Sequence, residues 1–170
     1  MTPLILSPPA PLSADHDVAN FDSGEPSLDQ WLKQRALKNQ VSGASRCFVV
    51  CANQAVIGFY SLSAGAIGHE TAPKSMRRNM PDPLPVLLLG RLATDRRYQN
   101  KGIGQALLRD ALLRSVVIAS SAGIFAIMLH ALSPPARQFY LSRGFVASPL
   151  QPMTLIMTLE TVRSILNELA

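Results

Sequence analysis

Residues Asp95–Asp110 read "DRRYQNKGIGQALLRD": two glycines two positions apart, four basic side chains, then apolar residues at helical spacing. Just before it, Val86–Thr94 ("VLLLGRLAT") is a continuous apolar run, the pattern of a central strand buried on both faces. A strand, a glycine turn and a helix in succession put bare amides at a helix start. There the first N–H groups have no intrahelical partner, and the macrodipole adds about half a positive charge. Glycine also lets the backbone come close to a bulky anion. "QNKGIG" (Gln99–Gly104) is therefore suited to wrap a phosphate or pyrophosphate.

Working outward, helical spacing continues through Ile103, Leu107, Ala111 and Val117-Ile118, with Gln105, Arg109 and Arg114 on the outer side. Gly90 inside the preceding strand signals a bulge or a close backbone approach. Downstream, "GIFAIMLHAL" reads as a second buried strand. A short helix near Pro135–Arg143 stops at Gly144, and "FVAS" and "MTLIMTL" supply the last strands. Upstream, Leu4–Ser7 reads as a short strand closed by Pro8 and Pro9. Ser27 and Gln30 form a capping-box signature for a helix over Leu28–Gln40. Leu28, Trp31, Leu32 and Leu37 make its apolar stripe, with Lys33 and Lys38 opposite. "RCFVVC" and "AVIGFYSLSA" form a hairpin turning at Asn53-Gln54, and Gly65–Pro85 is a loop carrying Lys74, Arg77 and Arg78. The order predicts an α/β fold built on a mixed sheet with one strand-to-helix crossover in its middle.

With 170 residues, 48% of them hydrophobic and 16% charged, the chain is expected to form a single globular domain, residues 1–170. No apolar run reaches the roughly 18 residues of a membrane span. The first residues lack a basic secretory n-region, so the expected location is cytoplasmic. Cys47 and Cys51 read as small core residues, and no spacing of Cys and His suits a metal. Charge is uneven. Residues 1–32 hold five acids and no Lys or Arg, whereas residues 33–170 hold all 16 basic residues against six acids. That asymmetry points to a polyanionic partner for the basic part.

Other phosphate motifs fit poorly. A Walker loop needs a Gly-Lys-Ser/Thr string that is absent. A dinucleotide fingerprint needs a third glycine where Leu107 stands, and an acid where residues 122–126 read "AGIFA". By contrast, Gln99-Asn100-Lys101-Gly102-Ile103-Gly104 resembles the Q/R-x-x-G-x-G/A motif of the GCN5-related N-acetyltransferases (GNAT), in the same strand–loop–helix setting. "SPPARQFYLSRGF" looks like that family's segment with a tyrosine close to the thioester sulfur. "FDSGEPSLDQWLKQRALKNQ" and "LGRLATDRRYQNKGIGQALLRDAL" are similar to the TacT-like toxins of bacterial toxin–antitoxin pairs.

The resemblance implies the GNAT fold: a mostly antiparallel mixed sheet, splayed at its centre and flanked by helices. It implies acetyl-CoA as co-substrate and the free α-amine of aminoacyl-tRNA as acceptor, which blocks translation. The implied partners are a ribbon-helix-helix antitoxin, with DNA reached only through it, and a second copy in a homodimer. On this pattern the backbone of Leu92, Ala93 and Thr94 pairs with pantetheine. Amides from Asn100 to Gln105, in the motif begun by Gln99, hold the pyrophosphate, with Arg97 and Lys101 adding charge. Ser133 and Phe139 flank the cofactor, Phe139 also reading as a core residue, and Tyr140 protonates the departing thiolate. Lys33, Arg35, Lys38, Lys74, Arg77, Arg78 and Arg91 are the candidates for tRNA phosphates.

No carboxylate stands in the second or third strand to act as general base. This favours an α-amine, with a pKa of about 7.7–8.0, over a lysine at about 10.4, because the former is already partly neutral at pH 7. His130 reads as a satisfied core residue, and His16 and His69 as loop residues without partners. Two rival readings are a GNAT enzyme acting on protein or small-molecule amines, and a non-catalytic CoA-binding module.

Overall fold

The computed structural model describes residues 6–168. Its strands are β1 (Ala10–Pro11), β2 (Arg46–Ala52), β3 (Ala55–Ile67), β4 (Leu84–Thr94), β5 (Ala126–His130), β6 (Val146–Ala147) and β7 (Thr154–Thr158). The helices are α1 (Pro26–Gln34), α2 (Ala36–Ser42), α3 (Ile103–Ala119), α4 (Pro134–Leu141) and α5 (Leu159–Glu168). The seven-stranded sheet runs β1-β2-β3-β4-β5-β7-β6. The β4–β5 pair is parallel, over Val86–Leu88 against Ala126–Met128; the pairs β1–β2, β2–β3, β5–β7 and β6–β7 are antiparallel. This is the expected α/β class, with α3 as the crossover.

The chain divides into two compact units. One runs to Ser63 and adds Gly90–Ala111; the other comprises Ala64–Leu89 and Leu112 onward. In the first, the β2–β3 hairpin turns at Asn53-Gln54 as expected, with Asn53 at φ 59°. Phe59 of β3 is fully buried. Trp31 of α1 stacks on it at 5.9 Å, and Phe21 meets its edge at 5.4 Å. Offset and edge-on aromatic pairs like these add to plain area burial. Cys47 and Cys51 lie in this core as free thiols, and burial pushes the Cys47 thiol up to about 12. In the second unit the core gathers Met76, Leu84, Val86, Ala126, Met128 and Ile156.

Several expectations need correction. The helix predicted over Leu28–Gln40 is two helices, broken at Arg35, whose φ of −121° is not helical. Glu25 is the cap residue and Pro26 opens α1, so the Ser27–Gln30 capping box does not form. The apolar stripe runs through Trp31, Leu32 and Ala36, and Leu37, expected in it, is exposed. Of the strand expected at Leu4–Ser7, Leu4 and Ile5 lie outside the described residues. Leu6 makes a lone bridge to Ala52, and the Ser7 amide donates to the Cys51 carbonyl at 3.0 Å. The edge strand is β1, which contains Pro11, a placement tolerated at a sheet edge.

β4 is buried at Val86, Leu87 and Leu89 but half-buried at Leu88, Arg91 and Leu92 and exposed at Gly90, so the expected burial on both faces holds only in part. At Gly90 the close approach is real, since a Cβ there would stand 3.1 Å from the Ser61 hydroxyl. Ser115, not Val117, continues the buried face of α3, and its hydroxyl bonds the Leu112 carbonyl at 2.6 Å. Helix α5 was not anticipated. Thr158 caps it by accepting from the Thr161 amide at 3.1 Å, and Leu159 and Val162 are buried.

Candidate functional site

In the first unit, β4 ends at Thr94 and a single 3₁₀ turn, Arg96–Tyr98, leads into the glycine loop. Asn100 and Gly102 both take left-handed backbone angles, φ 62° and 81°. Asparagine and glycine are the residues that tolerate this region. α3 starts at Ile103, so the amides of residues 103–105 belong to a first turn whose donors lack intrahelical partners. A Cβ placed on Gly102 would meet nothing within 4 Å, and one on Gly104 only the Thr94 hydroxyl at 3.8 Å. The loop thus presents open backbone beside the positive end of a helix, the arrangement that accepts an anion.

The packing that sets this cradle is specific. Ile103 and Leu107 of α3 bury onto β3 at Gly58, where an added Cβ would come within 3.1 Å of Leu107 and 3.2 Å of Ile103. Ala93 is buried in the Trp31–Phe59 core, and Leu92 and Thr94 are half-buried. Gln105 is exposed at the start of α3, and Lys101 is exposed with its ammonium 5.7 Å from the Tyr98 ring.

Two of the predicted ligands are already engaged. The Arg97 guanidinium forks onto Asp95, with Nε 3.0 Å from Oδ1 and Nη2 3.2 Å from Oδ2. Asp95 is 1% exposed. Burial pushes its carboxyl up, but hydrogen bonds from Arg97 and from the Arg97 and Asp22 amides, with the Arg97 charge, outweigh this and hold it below its ordinary value. Gln99 donates its side-chain amide to the carbonyls of Ser23 and Thr94, both at 2.9 Å. Sequence reasoning passed over Asp95. The signal was present: an Asp directly after a strand, two residues before an Arg, is placed to cap a turn.

The second unit carries Tyr140, in the last turn of α4. Its residue is 8% exposed, with Phe139 at 5.0 Å and Phe145 at 5.6 Å, both edge-on. Burial raises its pKa, and among the described residues its phenol takes no hydrogen bond. A neutral phenol buried among aromatic rings has its proton free to give. Ser133 caps α4 through the Ala136 amide at 3.2 Å. Phe139 is half-buried under the Arg143 guanidinium, 3.8 Å from its ring, rather than in the core.

The histidines differ from expectation. His130 is exposed rather than buried, with Nδ1 2.8 Å from the Thr154 hydroxyl. His16 Nδ1 accepts from the Ser13 amide at 2.9 Å, and His69 Nε2 lies 2.7 Å from the Pro81 carbonyl, so neither lacks a partner.

The basic candidates fall in separate places. Lys33, Arg35 and Lys38 are exposed along α1 and α2. Arg91 lies over the Trp31 ring at 4.3 Å, where burial lowers its pKa. In the other unit Lys74 and Arg78 are exposed. Arg77 instead grips its own loop, donating Nε and Nη2 to the Ala72 carbonyl at 2.9 and 2.8 Å.

Comparison with known proteins agrees with this geometry. Residues 43–147 match the acetyltransferase (GNAT) domain model. A tRNA-acetylating toxin of Mycobacterium tuberculosis (strain ATCC 25618 / H37Rv) is 49% identical over 162 residues, 95% of this chain and 98% of the toxin. Among solved structures, AtaT complexed with acetyl-methionyl-tRNAfMet superposes with a TM-score of 0.88 at 26% identity, covering 95% of this chain and 99% of AtaT. An AtaT mutant bound to the C-terminus of the antitoxin AtaR and acetyl-CoA gives 0.82 at 25% identity, covering 95% and 98%. The chain belongs to the GNAT acetyltransferase family.

Proposed function

We propose that this protein transfers the acetyl group of acetyl-CoA to the free α-amine of an aminoacyl-tRNA, and so acts as a translation-blocking toxin. The open backbone cradle at Asn100–Gln105, set at the start of α3, is the observation that carries this reading. The 49% identity to a tRNA-acetylating toxin supports the acceptor.

In this mechanism the neutral α-amine attacks the thioester carbonyl carbon. A C–N bond forms, the C–S bond breaks, and the amine's proton passes to water. The thiolate leaving with CoA takes the phenolic proton of Tyr140, which solvent then restores. General-acid help of this kind contributes about 10²–10⁴-fold. Loop amides hold the pyrophosphate, Lys101 adds charge, and the backbone of Leu92–Thr94 receives pantetheine. Lys33, Lys38, Lys74 and Arg78 meet tRNA phosphates, which positions the acceptor without reading its bases. The same reading makes the chain a single cytoplasmic domain acting as a homodimer, restrained by a ribbon-helix-helix antitoxin.

The test uses radiolabelled acetyl-CoA with charged tRNA. Label should enter the tRNA and be released when the ester is cleaved. Tyr140→Phe should bind acetyl-CoA as the wild type does and lose about 10²-fold or more in turnover. Label in protein or polyamine but not in charged tRNA would refute the acceptor; full turnover in Tyr140→Phe would remove that residue from the chemistry.

A further inference from the structure

We propose that Asp95 and Gln99 are positioning residues: they lock the distant Asp22–Gly24 segment onto the entry of the glycine loop, and this lock sets the affinity for coenzyme A. The inference rests on the reading of that loop as the pyrophosphate site. Every hydrogen bond that carries it lies within one compact unit.

Asp95 gathers three stretches of chain. Its amide donates to the Ile57 carbonyl of β3 at 2.9 Å. Oδ1 accepts from the Arg97 amide at 2.9 Å and from Nε at 3.0 Å, and Oδ2 accepts from Nη2 at 3.2 Å and from the Asp22 amide at 3.1 Å. The Arg96 amide returns a bond to the Asp22 carbonyl at 2.8 Å. Gln99 closes the other side, spending both hydrogens of its amide on Ser23 and Thr94. Asp22 and Ser23 are thereby tied to both ends of the turn that delivers Asn100. Asp22 Oδ1 also lies 3.2 Å from Arg96 Nε, but that pair is exposed and contributes little.

The buried carboxylate is different. Removing its charge takes the ionised acceptor away from the exposed Arg97 guanidinium and from a part-buried amide, and so weakens the bonds that tie the two stretches together. A loop freed at its entry must be ordered when the ligand binds, so affinity falls by the ordering cost. Because coupling is reciprocal, the ligand must in turn tighten the strap. A residue that merely aided folding would show no such return effect.

The experiment measures coenzyme A binding to the full chain by calorimetry, with hydrogen exchange on the same samples, for wild type, Asp95→Asn and Gln99→Leu. Both variants should bind roughly tenfold more weakly, with the loss falling on KM for acetyl-CoA and not on kcat. Coenzyme A should slow exchange at residues 22–24 in the wild type and not in either variant. If Asp95→Asn does not fold, exchange at residues 22–24 in Gln99→Leu decides: loss of the slowing by coenzyme A supports the lock, and slowing kept despite weaker binding overturns it. Wild-type chain that fails to bind coenzyme A overturns the pyrophosphate reading itself. Wild-type binding with unchanged affinity in the variants overturns only the lock. Weakening by Gln99→Leu alone, with Asp95→Asn unaffected, makes Gln99 a direct ligand and also overturns it.

Discussion

Burial between Phe139 and Phe145 pushes the Tyr140 phenol above the usual value of about 10, so it stays protonated throughout the range in which the amine titrates. The two groups then shape the pH profile in different places. The attacking amine must be neutral, and its pKa lies at or below about 7.7–8.0. Turnover below that point should rise about tenfold per pH unit and then level off. Tyr140 works in its protonated form, and a raised pKa moves the loss of that form upward. No falling limb is therefore expected before about pH 10. Initial rates on freshly charged tRNA, taken quickly enough to outrun ester hydrolysis, test this. A falling limb with a midpoint below 10 that vanishes in Tyr140→Phe would contradict the role given to burial.

Gly58 shows how one element positions the next. An alanine there brings its Cβ within 3.1 Å of Leu107 Cδ1 and 3.2 Å of Ile103 Cγ2, so those side chains, or α3 with them, must give by a few tenths of an ångström. Overpacking of this sort costs about 1–3 kcal/mol. That exceeds the roughly 0.5–1 kcal/mol that replacing a strand glycine by alanine returns. Gly58→Ala should lower the denaturant midpoint, and because Ile103 is the first residue of α3 it should also raise KM for acetyl-CoA. An unchanged or higher midpoint would mean that α3 is not seated by that contact. The strand, glycine loop and helix around this contact were legible because periodicity and glycine placement are local signals. The break at Arg35 was not, because "LKQRALKN" has unbroken helical propensity and carries no Gly or Pro to mark it. Helix α5 had its signal, Thr158 ahead of Leu159 and Val162, but it followed directly on a strand-like run. Asp95 is legible only in part: its cap on Arg97 is a local pattern, whereas its partners at Asp22 and Ile57 are distant in sequence and leave no local trace.

At the scale of the whole molecule, the acidic first 32 residues and the basic remainder do not simply repel or attract as blocks. Asp22 is spent on Arg96, and Asp95 takes up Arg97, so the arginines beside the glycine loop are partly neutralised from within. Lys74 and Arg78 remain exposed, whereas Arg77 is committed to the Ala72 carbonyl. A charge reversal at Arg77 would disturb the loop itself, so Lys74→Glu with Arg78→Glu is the cleaner probe of tRNA contact. Each phosphate contact contributes about 0.7–0.9 to the slope of log affinity against log salt. The double variant should bind charged tRNA more weakly at all salt concentrations and show a slope shallower by roughly 1–2, with coenzyme A affinity unchanged. Filter binding across a salt series measures the slope. If the slope is kept while coenzyme A binding falls in step, those residues serve the fold and the polyanion docks elsewhere.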